Sequence, residues 1–323
     1  MVTVVSSIHA DFLYIGDGES CPEIERFVAA DHGAGVYSQR FAGPRKKPVK
    51  DEDGGEPMKN TCWLITVAFL VGLLMPATAR AQSPVDGTWK VDLKTAKFPE
   101  KPDVYLLQDG MYHCKTCVPS VDVKADGQDH EVSGHPYYDV VSIKVADDRT
   151  IEETDKKNGK TVATSKTWVS ADGNILMFEF TDSSATNADP VTGKGEETRV
   201  AKGPAGSHAI SGSWRMSKMD SLSDNAISIT YLVSGYSLSM NNPTGQSYTA
   251  KLDGTEAPYK GDPGTTSVSV KRVNKNTLEE TDKRDGKVIA VARITVSADG
   301  KALAVAVEDK LHGTSSHFTA TKQ

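Results

Sequence analysis

Hydrophobic and polar positions alternate with a period of two along most of this chain. Val141, Ile143 and Val145 fall on one side of an extended segment, with Ser142 and Lys144 on the other. Val268 and Val270 alternate in the same way with Ser269 and Lys271. That period puts one face of each strand against a core. From residue 82 onward, runs rich in Val, Ile, Thr, Tyr and Phe are separated by Asn-Gly, Asp-Gly and Pro signals about every 8–12 residues. No amphipathic helix of useful length is evident. The pattern predicts an all-β protein. Its clearest hairpins are Thr150–Lys156 with Lys160–Val169 around Asn158-Gly159, and Thr277–Lys283 with Lys287–Val296 around Asp285-Gly286. Asn-Gly and Asp-Gly suit a type I′ turn, whose two central residues both need positive φ.

The two hairpins belong to a repeat. Asp126–Gly173 matches Asp253–Gly300 without a gap at an offset of 127, with 21 identities in 48 positions. Gly87-Thr88-Trp89 returns as Gly212-Ser213-Trp214 at an offset of 125. Such a period is too long for a solenoid and reads as two copies of one domain. The expected copies are 82–202 and 212–323, with 203–211 as a short flexible linker carrying Gly203-Pro204-Ala205-Gly206-Ser207. Each should hold seven to nine antiparallel strands in a meander, closed as a barrel.

Ahead of the repeat, Met58-Lys59-Asn60, the apolar run Trp63–Met75 and the ending Ala79-Arg80-Ala81 have the order of a secretory signal peptide. It spans 58–81, with cleavage expected before Gln82 and a periplasmic or secreted destination. The apolar run is short for a span of about 30 Å of hydrocarbon, so no membrane span is expected in the mature chain. Residues 1–57 show no core pattern. They are expected to be a mis-assigned start, with a disordered extension as the alternative.

Charge narrows the function classes. The chain has 37 Lys+Arg and 43 Asp+Glu, of which 8 and 10 lie in 1–81, leaving residues 82–323 at a formal charge of −4. With no basic excess to hold a phosphate backbone, nucleic-acid binding is not expected.

Of four cysteines, Cys114 and Cys117 lie past the signal peptide. In an oxidising compartment they suit a local disulfide, a redox pair or a metal site. With His113, His130 and His135 near in sequence, thiolates and imidazoles would suit Zn or Cu. The second copy has Ala257 and Asp262 where the first has His130 and His135. His130-Glu131-x-x-x-His135 does not fit a helical zinc-protease motif, whose histidines stand four apart. Gly235-Tyr236-Ser237-Leu238-Ser239 lacks the second Gly of a nucleophile elbow. No catalytic set and no required cofactor emerge.

Gly87-Thr88-Trp89-Lys90 and Gly212-Ser213-Trp214-Arg215, each opening a strand meander, resemble the lipocalin and fatty-acid-binding (calycin) superfamily. That resemblance implies barrels whose ends are closed by Trp89 and Trp214, with a late-strand Arg199 stacked on Trp89. The second copy departs by having Phe318 and Lys322 in its last strand and no Arg. Arg199-Val200-Ala201 also lacks the Tyr of the family's carboxylate clamp. The Gly87–Lys90 start, Val141–Lys144, Thr150–Glu152 and Ser170–Gly173 are similar to bacterial exported proteins of unknown function.

Candidate ligand-lining residues are Tyr137, Tyr138, Glu153, Lys166, Trp168 and Phe178. Lys166 is expected diagonally across the hairpin from Glu153, either as a rim ion pair or inside a cavity. Thr295 and Val305 replace Trp168 and Phe178 in the second copy, so the first is expected to be the specialised one. The leading expectation is an exported binding or structural protein, not an enzyme, with a small, partly apolar ligand. The alternatives are an exported hydrolase or metal-dependent enzyme using the Cys/His segment, and an envelope interaction module without a small ligand.

Overall fold

The computed structural model describes residues 82–185 and 187–323. The expectations for 1–57 and 58–81 lie outside the described residues. The described chain is all-β: two antiparallel ten-stranded sheets, each curled into a nearly closed barrel. One helical turn, α1 (Asp224–Ile227), interrupts the strands. No described helix is long and apolar enough to cross a membrane.

The chain opens with β1 (Gly87–Lys97). It continues through β2 (Asp103–Gln108), β3 (Met111–Cys114), β4 (Val121–Lys124), β5 (His130–Glu131) and β6 (Val140–Val145). Then come β7 (Thr150–Lys157), β8 (Lys160–Val169), β9 (Ile175–Asp182), β10 (Val191–Lys202) and β11 (Gly212–Leu222). After α1 follow β12 (Ser228–Ser234), β13 (Ser237–Asn241), β14 (Ser247–Lys251), β15 (Asp253–Pro258) and β16 (Ser267–Asn274). The last four are β17 (Thr277–Arg284), β18 (Lys287–Val296), β19 (Ala302–Asp309) and β20 (Thr314–Lys322).

The sheets do not follow the sequence copies. The first barrel is ordered β4-β3-β2-β11-β10-β9-β8-β7-β6-β5, and the second β14-β13-β12-β1-β20-β19-β18-β17-β16-β15. Each copy's opening strand, the one carrying Gly-x-Trp, therefore sits in the other copy's barrel. β11 folds back along β10 and pairs with β2. β1 lies between β12 and β20. The expected linker is the connection that makes this possible. Its end is anchored: Ile210 and Ser211 are buried, and Ser211 Oγ accepts a hydrogen bond from Leu107 N.

Local signals worked as expected. Asn158-Gly159 and Asp285-Gly286 all have positive φ, as does Asp109-Gly110 between β2 and β3. Val141, Ile143, Val268 and Val270 are fully buried. Val145 is not; it lies exposed at the turn end of β6.

Each barrel closes over its Trp. Trp214 and Trp89 are wholly buried, and their Nε1 groups donate to Ile210 O (2.7 Å) and Val85 O (2.8 Å). A cation covers each ring: the Arg199 guanidinium 3.8 Å from the centroid of Trp214, and Lys322 Nζ 5.2 Å from that of Trp89. The expected Arg199–Trp89 stack is thus corrected to Arg199–Trp214, because β10 pairs with β11 and not with β1. The motif glycine makes room for the cation. At Gly212 (φ +138°) a Cβ would stand 2.8 Å from Arg199 Nη1, and at Gly87 (φ +126°) 2.7 Å from Lys322 Cε.

Candidate functional site

The site is built from the inward rows of the first barrel. Strand register aligns Glu153 with Ser165, Phe180 and Gly193. The next row towards Trp214 is Ile151, Thr167, Phe178 and Gly195. The next row away from it is Asp155, Ala163, Asp182 and Val191. Gly193 and Gly195 are bare because the phenyl rings lie over them: a Cβ there would be 2.4 Å from Phe180 and 2.6 Å from Phe178.

These rows differ in exposure from those of the second barrel. Ala163, Ser165, Thr167, Phe178 and Phe180 face inward yet are only half-buried. Their repeat equivalents Ala290, Ala292, Ile294, Val305 and Val307 are all buried. The interior wall of β8 and β9 is accessible in the first barrel and sealed in the second.

Acids and phenols line the rest. Asp103, Glu153 and Glu197 are buried. The carboxyls of Asp103 and Glu197 share a hydrogen bond, as do those of Glu153 and Asp155. Burial raises the Glu197 carboxyl from 4.5 to about 7. Burial, then the negative charge of Glu197, lifts Asp103 well above the carboxylate range. Burial, then Glu153, does the same for Asp155, with Asp182 adding to it. Tyr105 and Tyr112 face this acid group and are pushed upward by burial and by its charge. Asp103 Oδ1, Asp155 Oδ1 and Glu197 Oε2 are buried without a hydrogen-bond partner. A buried acceptor left unpaired costs about 1–3 kcal/mol, so three in one barrel interior is an arrangement that invites a donor.

The second barrel keeps only part of this. Glu280 and Asp282 repeat Glu153 and Asp155, and Tyr248 donates its hydroxyl to Glu280 Oε2. The Asp103–Glu197 pair has no counterpart. Trp214 faces Asp103, whereas Trp89 faces Ile229. Two residues before Arg199 stands Glu197, whereas two before Lys322 stands Ala320.

The residues singled out from sequence separate into three groups. Glu153 and Phe178 do line the interior. Lys166 and Trp168 are on the outer face instead: Lys166 stands opposite Glu152 and its Nζ lies 5.8 Å from the Trp168 ring. The hairpin register places Ser165, not Lys166, across from Glu153. Tyr138 is buried and stacks on His135 at 4.5 Å. Tyr137 reaches the second barrel, donating to Asp262 Oδ1 at 2.9 Å. Tyr137 and Asp262, together with Asp182, Ser184, Val191, Thr244, Gln246 and Pro263, line a cleft at the barrel junction.

The Cys/His segment is dispersed. Cys114 and Cys117 form a disulfide, S–S 2.03 Å, and both are buried. His113 alternates to the outer face of β3 and bonds Asp122 (2.5 Å), and His130 bonds Asp126 (2.8 Å). His135, lowered to about 4 chiefly by burial, leaves Nδ1 unpaired. Among the described residues, no three His, Cys, Asp or Glu side chains converge as a metal site.

Sequence reasoning passed over Asp103, Asp155, Glu197, Tyr105, Tyr112 and Phe180. A signal existed for Asp155, since Glu-Thr-Asp recurs at Glu280-Thr281-Asp282 with both acids on one face. Gly193-x-Gly195-x-Glu197 likewise marks an inward glycine stripe ending in an acid. No family model matches the chain, and no curated protein matches it.

Proposed function

We propose that this is an exported, lipocalin-like binding protein that carries a small ligand inside its first barrel. The observation that supports the reading is the half-exposed inner wall of β8 and β9, beside the sealed wall of the second barrel. Inward aromatic rings at Phe178 and Phe180 offer apolar surface, and the acid and tyrosine group offers a few directed polar atoms. That combination is the usual make-up of a small-molecule site. Arg199 over Trp214 closes the far end. The second barrel then acts as a structural companion.

Native mass spectrometry of the protein recovered after export from a bacterial host tests this. The expected result is a non-covalent 1:1 adduct of small mass that denaturation removes. Removing the wall contrast by Ser165→Ala with Thr167→Ile, the second barrel's residues, should abolish the adduct without unfolding the protein. An adduct that survives this exchange undiminished, or a protein that never carries one, would overturn the reading.

A further inference from the structure

The inward face of the first barrel gathers carboxyl acceptors with no matching cation among the described residues. Asp103, Glu153, Asp155, Glu197 and Asp182 all lie on inward positions of β2, β7, β9 and β10. Arg199, the cation nearest this group along β10, is already committed. Its guanidinium covers Trp214 and donates to Ser211 O (2.8 Å), Ala209 O (2.7 Å) and Gly173 O. Lys166 and Lys144 are on the outer face, where Lys144 pairs with Glu152 at 2.8 Å. The second, independent observation is the set of unpaired oxygens. Asp103 is 2 % exposed and Glu197 5 % exposed, and each keeps one carboxyl oxygen without a partner.

Two kinds of ligand would satisfy such oxygens. A metal ion needs three or more ligands converging on one point, whereas these carboxyls are joined two by two, and no such convergence occurs among the described residues. An ammonium or guanidinium group needs only acceptors within hydrogen-bond reach, and gains from nearby aromatic faces. Phe178, Phe180, Tyr105 and Tyr112 supply those faces beside the acids. Resting on the ligand-binding reading above, we infer that the first barrel takes an organic cation: a protonated amine or guanidine on a compact, partly apolar body, its cationic group held by Glu197 and Asp103.

Calorimetric titration of the full-length exported protein with tryptamine, its neutral isostere tryptophol and the anion indole-3-acetate tests the inference. The amine should bind at least tenfold more tightly than the other two. Glu197→Gln should remove that preference, and Asp103→Asn should do the same where the first variant is poorly folded; retained tryptophol binding marks a variant that still folds and binds. Equal affinities for amine and alcohol, or a preference unchanged in both variants, would overturn the cation while leaving the ligand-binding reading intact. If none of the three binds, the adduct seen by native mass spectrometry decides. A basic nitrogen in it supports the inference, an adduct without one refutes the inference alone, and no adduct at all removes both.

Discussion

The two barrels of this chain share a frame and differ in what fills it. Both open a strand with Gly-x-Trp, cover the Trp with a cation, and turn a hairpin on Asn-Gly or Asp-Gly. Inside, the first holds Asp103, Glu197, Phe178 and Phe180 where the second holds Ile229, Ala320, Val305 and Val307. They also pin the turns after β3 and β13 differently. Cys114–Cys117 does so in the first barrel. In the second a buried amide network does it: Asn242 Nδ2 donates to Gln246 Oε1 (2.7 Å), while Asn242 Oδ1 accepts from Thr244 Oγ1 (2.8 Å) and Gln246 N (3.0 Å). The difference teaches that hairpin signals and Trp closure specify the barrel, while the inward rows are free to be sealed or opened. One barrel is sealed by apolar packing, and the other carries polar atoms on the matching rows.

The largest expected effect comes from removing the closing Trp residues. Trp89→Ala and Trp214→Ala should each cost about 3–5 kcal/mol, since each empties a large, fully packed volume. Their locations should cross over. Hydrogen exchange should show Trp89→Ala loosening β12 and β20, and Trp214→Ala loosening β2 and β10. Loosening confined to the Trp residue's own sequence copy would contradict the strand exchange.

Next is pH. Glu197, at about 7 in the folded state against 4.5 unfolded, keeps a proton that the unfolded chain has lost. Its contribution is therefore fully present below about pH 4.5 and declines as the pH rises to about 7. His135 acts oppositely. Lowered to about 4 from 6.5, it makes stability fall as the pH drops through that interval. Denaturant midpoints at pH 5 and 7.5 should show Glu197→Gln removing a decline of at most about 1.4 kcal/mol per pH unit. His135→Gln should remove the opposing slope. Ala320→Gln, at the matching position of the second barrel, should alter neither slope.

The smallest expected effect distinguishes the two turns. Cys114→Ser with Cys117→Ser closes a very short loop less tightly and should cost about 2 kcal/mol. Reductant should reproduce that loss in the wild type and have no further effect in Asn242→Ala beyond it. Asn242→Ala itself should cost about 1–3 kcal/mol, because it strands buried polar partners. Equal sensitivity of both turns to reductant would break the comparison.

Much of the local structure was legible because it depends on near neighbours. Asn158-Gly159 and Asp285-Gly286 require positive φ, and alternation at Val141 and Ile143 chooses the buried face. Glu153 was also legible as a candidate inward acid. Lys166 was misplaced by one register step, and in a strand one step is enough to change faces. The site's other half was hidden for a different reason: Asp103 and Glu197 are distant in sequence and meet only because β11 enters between β2 and β10.

By itself, then, the sequence determined an all-β chain, the doubling of one barrel-forming unit, its turns and most of its inward positions, since these follow from backbone conformation and a period of two. Tertiary structure alone decided which barrel each Gly-x-Trp strand joins. The two opening strands carry the same motif, so local pattern does not distinguish their alternative partners. The short connection at 203–211 does, by returning β11 along β10 and leaving β20 to pair with β1. That choice sets Arg199 on Trp214 and draws Asp103 to Glu197.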